Sequence, residues 1–509
     1  MTDTAASVAP AHRWWILVTI AVAQLMVALD STVMNIALPS VQKDLHYADG
    51  DREWIITAYA LAFGSLLLLS GRLADRFGRR NLFIVGLIGF AIASGVGGAA
   101  TSFGMLVASR AVQGGFAALL APAALSLLAT TFPGGRERAR AFGVYASVGI
   151  AGSTIGLLIG GVLTEYFSWR WTMYINVVFA VPAAIGAIIL LRHSARGDNR
   201  DRIDFWGALL VSAGLFGVVY GISNVPNDGW DSPVTIGFLA AGVVLLIVFV
   251  LVERRVLLPL LPLRVPLDRT RGAGYLGMFI AASAMLSAVF FMAYYVQTVL
   301  GWSAVRSGVA FLPLPVMLVL VAAVIGPRLN RRVGPRIVVP IGMVLGATAM
   351  FLFSQVTTTD DYVGHLLPGL LVLGAAMGLI FPTSVSAATL GVRREDSGVA
   401  SALVNTTQQV GSAIAVAVFN SVATTVAADY LAAHLPPTPA VLADAAVHSY
   451  AIVFASASVI FLIGAVVTAL LNRSGVPGAA AAHDAGGTAD DGAGESSLPE
   501  AVEPGTIVA

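Results

Sequence analysis

Fourteen apolar runs, each long enough to cross a lipid bilayer, follow one another along this chain. They lie at roughly 14–38, 53–71, 80–100, 104–131, 140–164, 171–191, 205–223, 234–252, 272–299, 305–325, 335–355, 365–389, 398–422 and 448–471. A helix needs about twenty apolar residues to span the hydrocarbon core, where every backbone amide must find its partner inside the protein. The expected fold class is therefore an all-α polytopic membrane protein. Composition agrees: 57% of the 509 residues are hydrophobic and 11% are charged, against about 25% charged in soluble domains. The first run, Trp14 to Pro39, exceeds the roughly 7–15 residue core of a signal peptide and contains Asp30, so it reads as a first crossing. The absence of cysteine excludes disulfides and thiolate metal sites.

Basic residues set the orientation. With the N-terminus in the cytoplasm, 24 of the 29 Lys and Arg fall at cytoplasmic helix ends. Lys43, Arg52, Arg170 and Arg306 fall outside, and Arg110 lies within a span. The opposite orientation inverts that ratio. An even number of crossings then places both termini in the cytoplasm of a multi-pass plasma (inner) membrane protein. The outside segment from Ala423 to Val447 reads as the longest external loop.

A repeat sharpens the architecture. The glycine-bracketed loop GRLADRFGRR, Gly71 to Arg80, follows the second run, and GPRLNRRVGPR, Gly326 to Arg336, follows the tenth. Pro122 pairs with Pro382 and Arg136-Glu137 with Arg394-Glu395 at matching offsets of 255 to 260 residues. Eight helices separate equivalent positions where six per half would give six, so two helices are an insertion, most simply the seventh and eighth. The expected arrangement is 14 transmembrane helices as 6+2+6, with halves related by a parallel repeat. The parts are a cytoplasmic tail (1–13), an N-terminal six-helix bundle (14–192), a linker (193–204), two inserted helices (205–253), a linker (254–271) and a C-terminal six-helix bundle (272–471). Residues 472–509, rich in Ala, Gly and acids, form an acidic cytoplasmic tail expected to be disordered.

Asp30 is the one acid well inside a span. A central carboxylate costs about 2.5–3.5 kcal/mol on insertion scales, so it needs a partner, a cavity or a proton. Burial raises a carboxylate pKa and suits Asp30 to carry a proton; an alternative is a hydrogen-bonded structural residue. Asp30 lies about 13 Å below the outer end of its helix and Arg110 about 10 Å below the same side, so the two can meet. Arg110 is then a tuning partner or a packing anchor. Helix 5 carries Gly149, Gly152, Gly156, Gly160 and Gly161, a small-residue face for close approach of another helix. Met34, Tyr59, Tyr294, Gln297, Asn405 and Gln408 are candidates for a substrate cavity, with Gln409 beside them, although the amides also suit interhelical hydrogen bonds. With Lys43 the only lysine, no phosphate-binding GxxxxGK[ST] loop exists. No metal-ligand spacing or nucleophile–base set appears, so no cofactor, metal, catalytic residue or nucleic-acid partner is expected.

These residues resemble the major facilitator superfamily, specifically its 14-helix drug:proton antiporter group, over roughly residues 14–471. Gly71, Asp75, Arg76, Gly78, Arg79 and Arg80 match the loop that in the family locks a gate; the resemblance implies that Asp75 faces the start of helix 13 near Ser397-Gly398. Leu29-Asp30 to Pro39 is similar to the group's helix 1 signature, and Arg110 to Gly114 to the helix 4 motif tied to proton coupling. Gly152, Gly156, Gly160 and Gly161 keep the antiporter motif of helix 5, but Leu157 stands in place of its proline. Trp169-Arg170-Trp171 and Ile175-Asn176 fit the start of helix 6, with Val178 where a proline is common.

The resemblance implies a proton-coupled efflux transporter that exports amphipathic drugs or antibiotics by alternating access. Its partners would be protons, an amphipathic small molecule and the bilayer, and a monomer is expected. Other readings remain open at this point: an exporter dedicated to one endogenous metabolite or antibiotic, a uniporter or channel, or a non-transporting membrane sensor or scaffold.

Overall fold

The computed structural model describes residues 10–132, 135–191, 204–256, 259–359, 362–392, 396–434, 436 and 438–472. Fourteen helical rods carry the apolar runs: α1 (Pro10–Leu45), α2 (Trp54–Phe77), α3 (Arg79–Gly98), α4 (Phe103–Thr131), α5 (Gly135–Tyr166), α6 (Trp171–Leu190), α7 (Phe205–Ser223), α8 (Pro233–Glu253), α9 (Arg269–Val299), α10 (Ala304–Val333), α11 (Pro335–Phe353), α12 (Tyr362–Thr389), α13 (Ser397–Ala433) and α14 (Pro439–Leu471). Thirteen of them, all but α2, are long and apolar enough by composition to cross a membrane, counted among the described residues. The chain is an all-α membrane protein, as expected.

Short polar side chains start many of the rods. Ser102, Asp204, Ser232, Asp268, Ser303 and Thr438 each accept a backbone N–H of the first turn of α4, α7, α8, α9, α10 and α14, satisfying donors that have no intrahelical partner. Both charged loops turn on a glycine in the left-handed region: Gly78 (φ +87°) ends α2, and Gly334 (φ +72°) ends α10. A side chain at either would be strained, so the repeat seen in sequence corresponds to the same turn made twice. Three π-helical segments, Tyr295–Val299, Val321–Ile325 and Tyr362–Leu366, interrupt the regular winding of α9, α10 and α12.

Consecutive crossings define two ends. The loop end carries the α1–α2, α5–α6, α9–α10 and α13–α14 connections, and the terminal end carries the two charged loops. The expectation of a long loop over 423–447 is corrected: α13 continues to Ala433 and α14 starts at Pro439, so most of that segment is helix. It is too polar to resemble a bilayer span, but nothing in it breaks a helix before the prolines at 436 and 437. The tail (473–509) and most of the first linker lie outside the described residues.

Helices α1–α6 gather around one apolar core, and the core of α9–α14 runs on toward the loop end into α1, α2, α4, α5 and α6 through residues such as Met34, Ile55, Leu106, Leu157 and Met173. Helix α7 packs on α8 and into a seam between α2 and α13, where Val211, Leu215 and Val219 meet Leu61, Ala413 and Ala417. The outer faces expose large apolar side chains such as Ile92, Ile189, Phe351 and Val466, as a lipid-facing surface requires. The two groups meet along α2–α13, α1–α9 and α5–α10. The α5–α10 contact is close only at the loop end. It is strong along Ala304–Ala310, thins over Pro313–Leu320 and is not sustained along Gly326–Val333. The groups are therefore shut at the loop end and diverge on that side toward the terminal end.

Candidate functional site

Asp30 sits near the middle of α1, 1% exposed, at the centre of a polar cluster drawn from four helices. Arg110 of α4 donates to its Oδ2 at 2.8 Å, while Gln113 of α4 and Asn176 of α6 donate to its Oδ1 at 2.9 and 2.6 Å. Ser94 of α3 accepts from both amides, at 2.7 and 3.0 Å. Arg110 also donates to Gln113 Oε1 (2.6 Å) and to the Ile55 carbonyl of α2 (3.1 Å), and its guanidinium lies 4.3 Å from the centre of the Tyr59 ring. Every member of this cluster is buried. A buried ion pair is sustained only when its remaining donors and acceptors are also satisfied, and here three N–H groups converge on two carboxylate oxygens. Three donors fix the carboxyl in one orientation and leave one acceptor position of Oδ2 uncommitted.

The glycine face of α5 holds α1 in place beside this acid. A Cβ at Gly152, Gly156 or Gly160 would meet Leu25 O, Leu29 O or Val33 O at 3.0–3.1 Å, and at Gly156 would also collide with Thr32. The small residues therefore serve the α1 turns on either side of Asp30. Gly161, the next residue, faces the other way: its Cβ would lie 2.7 Å from Ala304 O of α10. Leu157, in place of a proline, leaves α5 as one continuous helix from Gly135 to Tyr166.

Between the two groups lies a cavity of about 200 Å³. Its walls are mostly apolar (Met34, Ile56, Met285, Leu286, Val289, Phe381), with Asn35, Tyr59, Gln408, Gln409 and Ser412 offering hydrogen bonds. Arg110 is the one charged residue among those lining it; Asp30 lies behind the guanidinium. Drug-sized ligands occupy sites of about 300–1,000 Å³, so a substrate of that size requires the groups to separate further.

Three cavity candidates stand elsewhere. Tyr294 is fully buried toward the loop end, Gln297 donates to the Ile36 carbonyl of α1 at 3.1 Å, and Asn405 is half-buried and donates to Ser401 O of its own helix at 3.2 Å. Amides and tyrosines at these positions tie helices together or cap their own backbone, which helical spacing alone could not distinguish from lining. Met34, Tyr59 and Gln408 do line the cavity. In the first charged loop, expected from the resemblance to lock a gate, Arg80 donates to the Ile188 and Leu191 carbonyls at the end of α6, at 2.9 and 2.6 Å. Arg79 is half-buried, and the side chains of Asp75 and Arg76, the position of Gly71 in the lock, and Ser397 lie outside what is described.

The loop end holds a group that sequence reasoning passed over. Arg52, counted among the outside basic residues, is 5% exposed. It reaches from the α1–α2 connection into the other group, donating to Asn420 Oδ1 of α13 (2.9 Å) and to the Tyr450 hydroxyl of α14 (3.5 Å), with its guanidinium 4.5 Å from the Tyr294 ring centre. Asn420 returns a bond to the Gly50 carbonyl at 3.1 Å. Burial against this cage pushes the Tyr47 phenol well above its ordinary pKa. Its neighbour Glu53 is fully buried. Gln113, Asn176 and Ser94 also went unnamed as site residues, although isolated amides inside apolar helices are a usable signal.

A family model described as Major Facilitator Superfamily matches residues 20–416. The chain is 44% identical over 462 residues to the puromycin resistance protein pur8 of Streptomyces alboniger, covering 90% of this chain and 91% of that one. It is 37% identical over 408 residues to the cephamycin export protein CmcT of Amycolatopsis lactamdurans, covering 80% and 84%, and 34% identical over 415 residues to the lincomycin resistance protein of Streptomyces lincolnensis, covering 81% and 84%. Among solved structures, a bacterial homologue of the human lysosomal transporter Spinster, inward-facing and unoccupied, superposes with a TM-score of 0.64 at 16% identity, over 92% of this chain and 98% of that one. That likeness concerns the fold alone.

Proposed function

Because this chain belongs to the Major Facilitator Superfamily, and is a transporter and not an enzyme, we propose that it exports amphipathic drugs or antibiotics in exchange for protons. The six helices on each side of α7 and α8 would rock about the central cavity, in the 6+2+6 arrangement. The chain would act as a monomer in the plasma membrane with both termini in the cytoplasm, making the loop end the outer one. Named relatives that confer resistance to, or export, puromycin, cephamycin and lincomycin support the substrate class, as does an apolar cavity studded with amides.

One observation carries the coupling: Arg110 belongs at once to the cavity wall and to the Asp30 cluster. When a proton neutralises Asp30, the guanidinium loses its anionic partner and the grip of the three donors on the carboxyl weakens, so that the cluster can rearrange. That rearrangement alters the cavity wall a substrate touches. Occupancy of the cavity and protonation of Asp30 then oppose one another, each by the same factor, as linkage demands. Each proton entering down a potential of 100 mV supplies about 2.3 kcal/mol before any pH contribution.

The test is substrate uptake into inverted membrane vesicles with and without an imposed pH difference. Uptake should rise with the gradient, and Asp30→Asn should remove that rise while the protein stays in the membrane. Full gradient-driven uptake by this variant would end the proposal, and flux indifferent to the gradient in the unaltered protein would point to a uniporter. A panel of neutral and cationic compounds separates a broad exporter from a dedicated one.

A further inference from the structure

Glu53 ends the α1–α2 connection immediately before α2, without a capping bond from its side chain, and it is the most completely enclosed acid among the described residues, at 0% exposure. Neither carboxyl oxygen has a hydrogen-bond partner. The groups around it come from every element packed there. From its own connection come Arg52 and Asp51; from α7 comes the Ser223 hydroxyl, itself buried and without a partner; from α13 comes Asn420. Ser223, Arg52 and Asn420 each favour the charged form, but none makes a well-formed hydrogen bond to it. The Arg52 guanidinium is turned into the cage of Tyr294, Phe290, Phe291 and Tyr450 and bonded to Asn420, and both polar ends of Asn420 are engaged, by Arg52 and by Gly50. Enclosure outweighs these neighbours, which favour the ionised form, and pushes the carboxyl well above its ordinary pKa.

The enclosure itself depends on the state of the transporter. Glu53 is covered because Asn420 of α13 and Ser223 of α7 close over the start of α2, and the same closure draws Arg52 into α9 and α14. When the loop end opens, α2 and α13 must part there, and Glu53 meets water. We infer that Glu53 is a second proton-binding site, distinct from Asp30, which takes up a proton as the loop end shuts and releases it to the same side as the loop end opens. Glu53 is not among the residues lining the central cavity, and the cage beside it is closed by the buried rings of Phe290, Phe291 and Tyr294. The proton on Glu53 is therefore a gating proton, not a transported one. This inference rests on alternating access, and it sets a condition on it: the outer gate closes readily only where that side is acidic.

Because the chain has no cysteine, a reporter pair is introduced without background. Spin labels at Lys43→Cys on α1 and Ala428→Cys on α13, both exposed near the loop end, read the opening of that gate in lipid nanodiscs as a function of pH. Asp30→Asn is the background, so that the central acid contributes nothing. One proton bound on closing makes the closed-to-open ratio fall by up to about tenfold for each unit of rising pH. That slope is expected with Glu53 present, and a pH-independent, predominantly closed population is expected when Glu53→Gln is added. A flat response with Glu53 present, or an undiminished slope with Glu53→Gln, overturns the inference. Should the glutamine variant fail to fold, Ser223→Ala is measured in its place. Removing the one uncommitted hydroxyl beside the carboxyl is expected to displace the midpoint while preserving the slope, and an unmoved midpoint overturns the inference. Vesicle transport that ignores a pH gradient would refute proton-driven export while leaving this distance titration fully readable.

Discussion

Gly114 sits one residue beyond Gln113 on α4, and replacing it with alanine tests whether the Asp30 cluster must be held to sub-ångström tolerance. A Cβ there would lie 2.3 Å from the Tyr59 carbonyl oxygen and 3.0 Å from its carbonyl carbon. Both are backbone atoms of α2, so no side-chain rotation relieves the contact. Real Cβ atoms essentially never come within 3.0 Å of a neighbour, so α2 and α4 must separate by about 0.7 Å at least. Overpacking of this kind costs about 1–3 kcal/mol. The functional consequence is larger, because α2 supplies both the Ile55 carbonyl at 3.1 Å from Arg110 Nε and the Tyr59 ring against its guanidinium. Separation lengthens that bond beyond useful range, and a hydrogen bond to a charged group contributes about 1.5–3 kcal/mol. Gradient-driven uptake should fall by about tenfold or more, since 1.4 kcal/mol is a factor of ten. Gly115→Ala is the matched control: its Cβ would meet only Leu66 Cδ1, at 3.4 Å, and alanine is the better helix former. Wild-type transport and wild-type thermal stability in Gly114→Ala, or equal loss in Gly115→Ala, would refute the reasoning.

Two further outcomes follow from the packing. Leu157→Pro, which restores the proline of the resembling motif, removes a backbone N–H within α5 and bends the helix where the Leu157 carbonyl packs against Gly308 of α10; the loop-end spin-label distance should broaden and uptake should fall, and an unchanged distance distribution counts against the α5–α10 seam as the gate. Arg80→Ala deletes two charge-assisted bonds to the last carbonyls of α6, so about 1–3 kcal/mol of stability should be lost, read as a lower unfolding temperature in detergent with the proton dependence of uptake unaltered.

Sequence carried the helices well because the bilayer imposes a length and a polarity that each span must meet alone, and the paired loops ending at Gly78 and Gly334 are local turns with a local cause. It carried the meeting of Asp30 with Arg110 for a similar reason: two charges at similar depth in an apolar medium have few other options. The rest depended on contacts between distant segments. Arg52 read as a loop residue and Glu53 as the outer end of the second run, and the approach of Asn420 and Tyr450, more than 360 residues away, is what encloses Arg52. Tyr294 and Gln297 point into contacts between helices and Asn405 bonds its own backbone, because a three-to-four residue period locates a face without saying which neighbour it meets. The helical extension through Ala433 went unread since a bilayer scale scores apolarity, not helicity.

The position of α5 explains how an event at Asp30 can reach a gate more than one helical turn away. Gly152, Gly156 and Gly160 seat α5 close on the α1 backbone at residues 25, 29 and 33, on either side of the acid, with only the small or local side chains of Leu25, Ala28 and Thr32 beside the contact. Gly161 and the Leu157 carbonyl, on the opposite face of the same turns, seat it equally closely on Ala304 and Gly308 of α10. A rod wedged backbone to backbone on both sides cannot let α1 shift by itself. If protonation of Asp30 loosens the grip of α4 and α6 on α1, the resulting movement has to pass through α5 to the α10 segment where the two groups are shut. Bulk at Gly160 should therefore impair coupling differently from bulk at Gly161: the first parts α5 from the acid-bearing helix, the second from the gate, although the residues are adjacent. Gly160→Val is expected to weaken the pH dependence of uptake with the loop end still shut, and Gly161→Val to open the loop end with Asp30 undisturbed; identical effects on both measurements would mean that α5 is packing alone and transmits nothing.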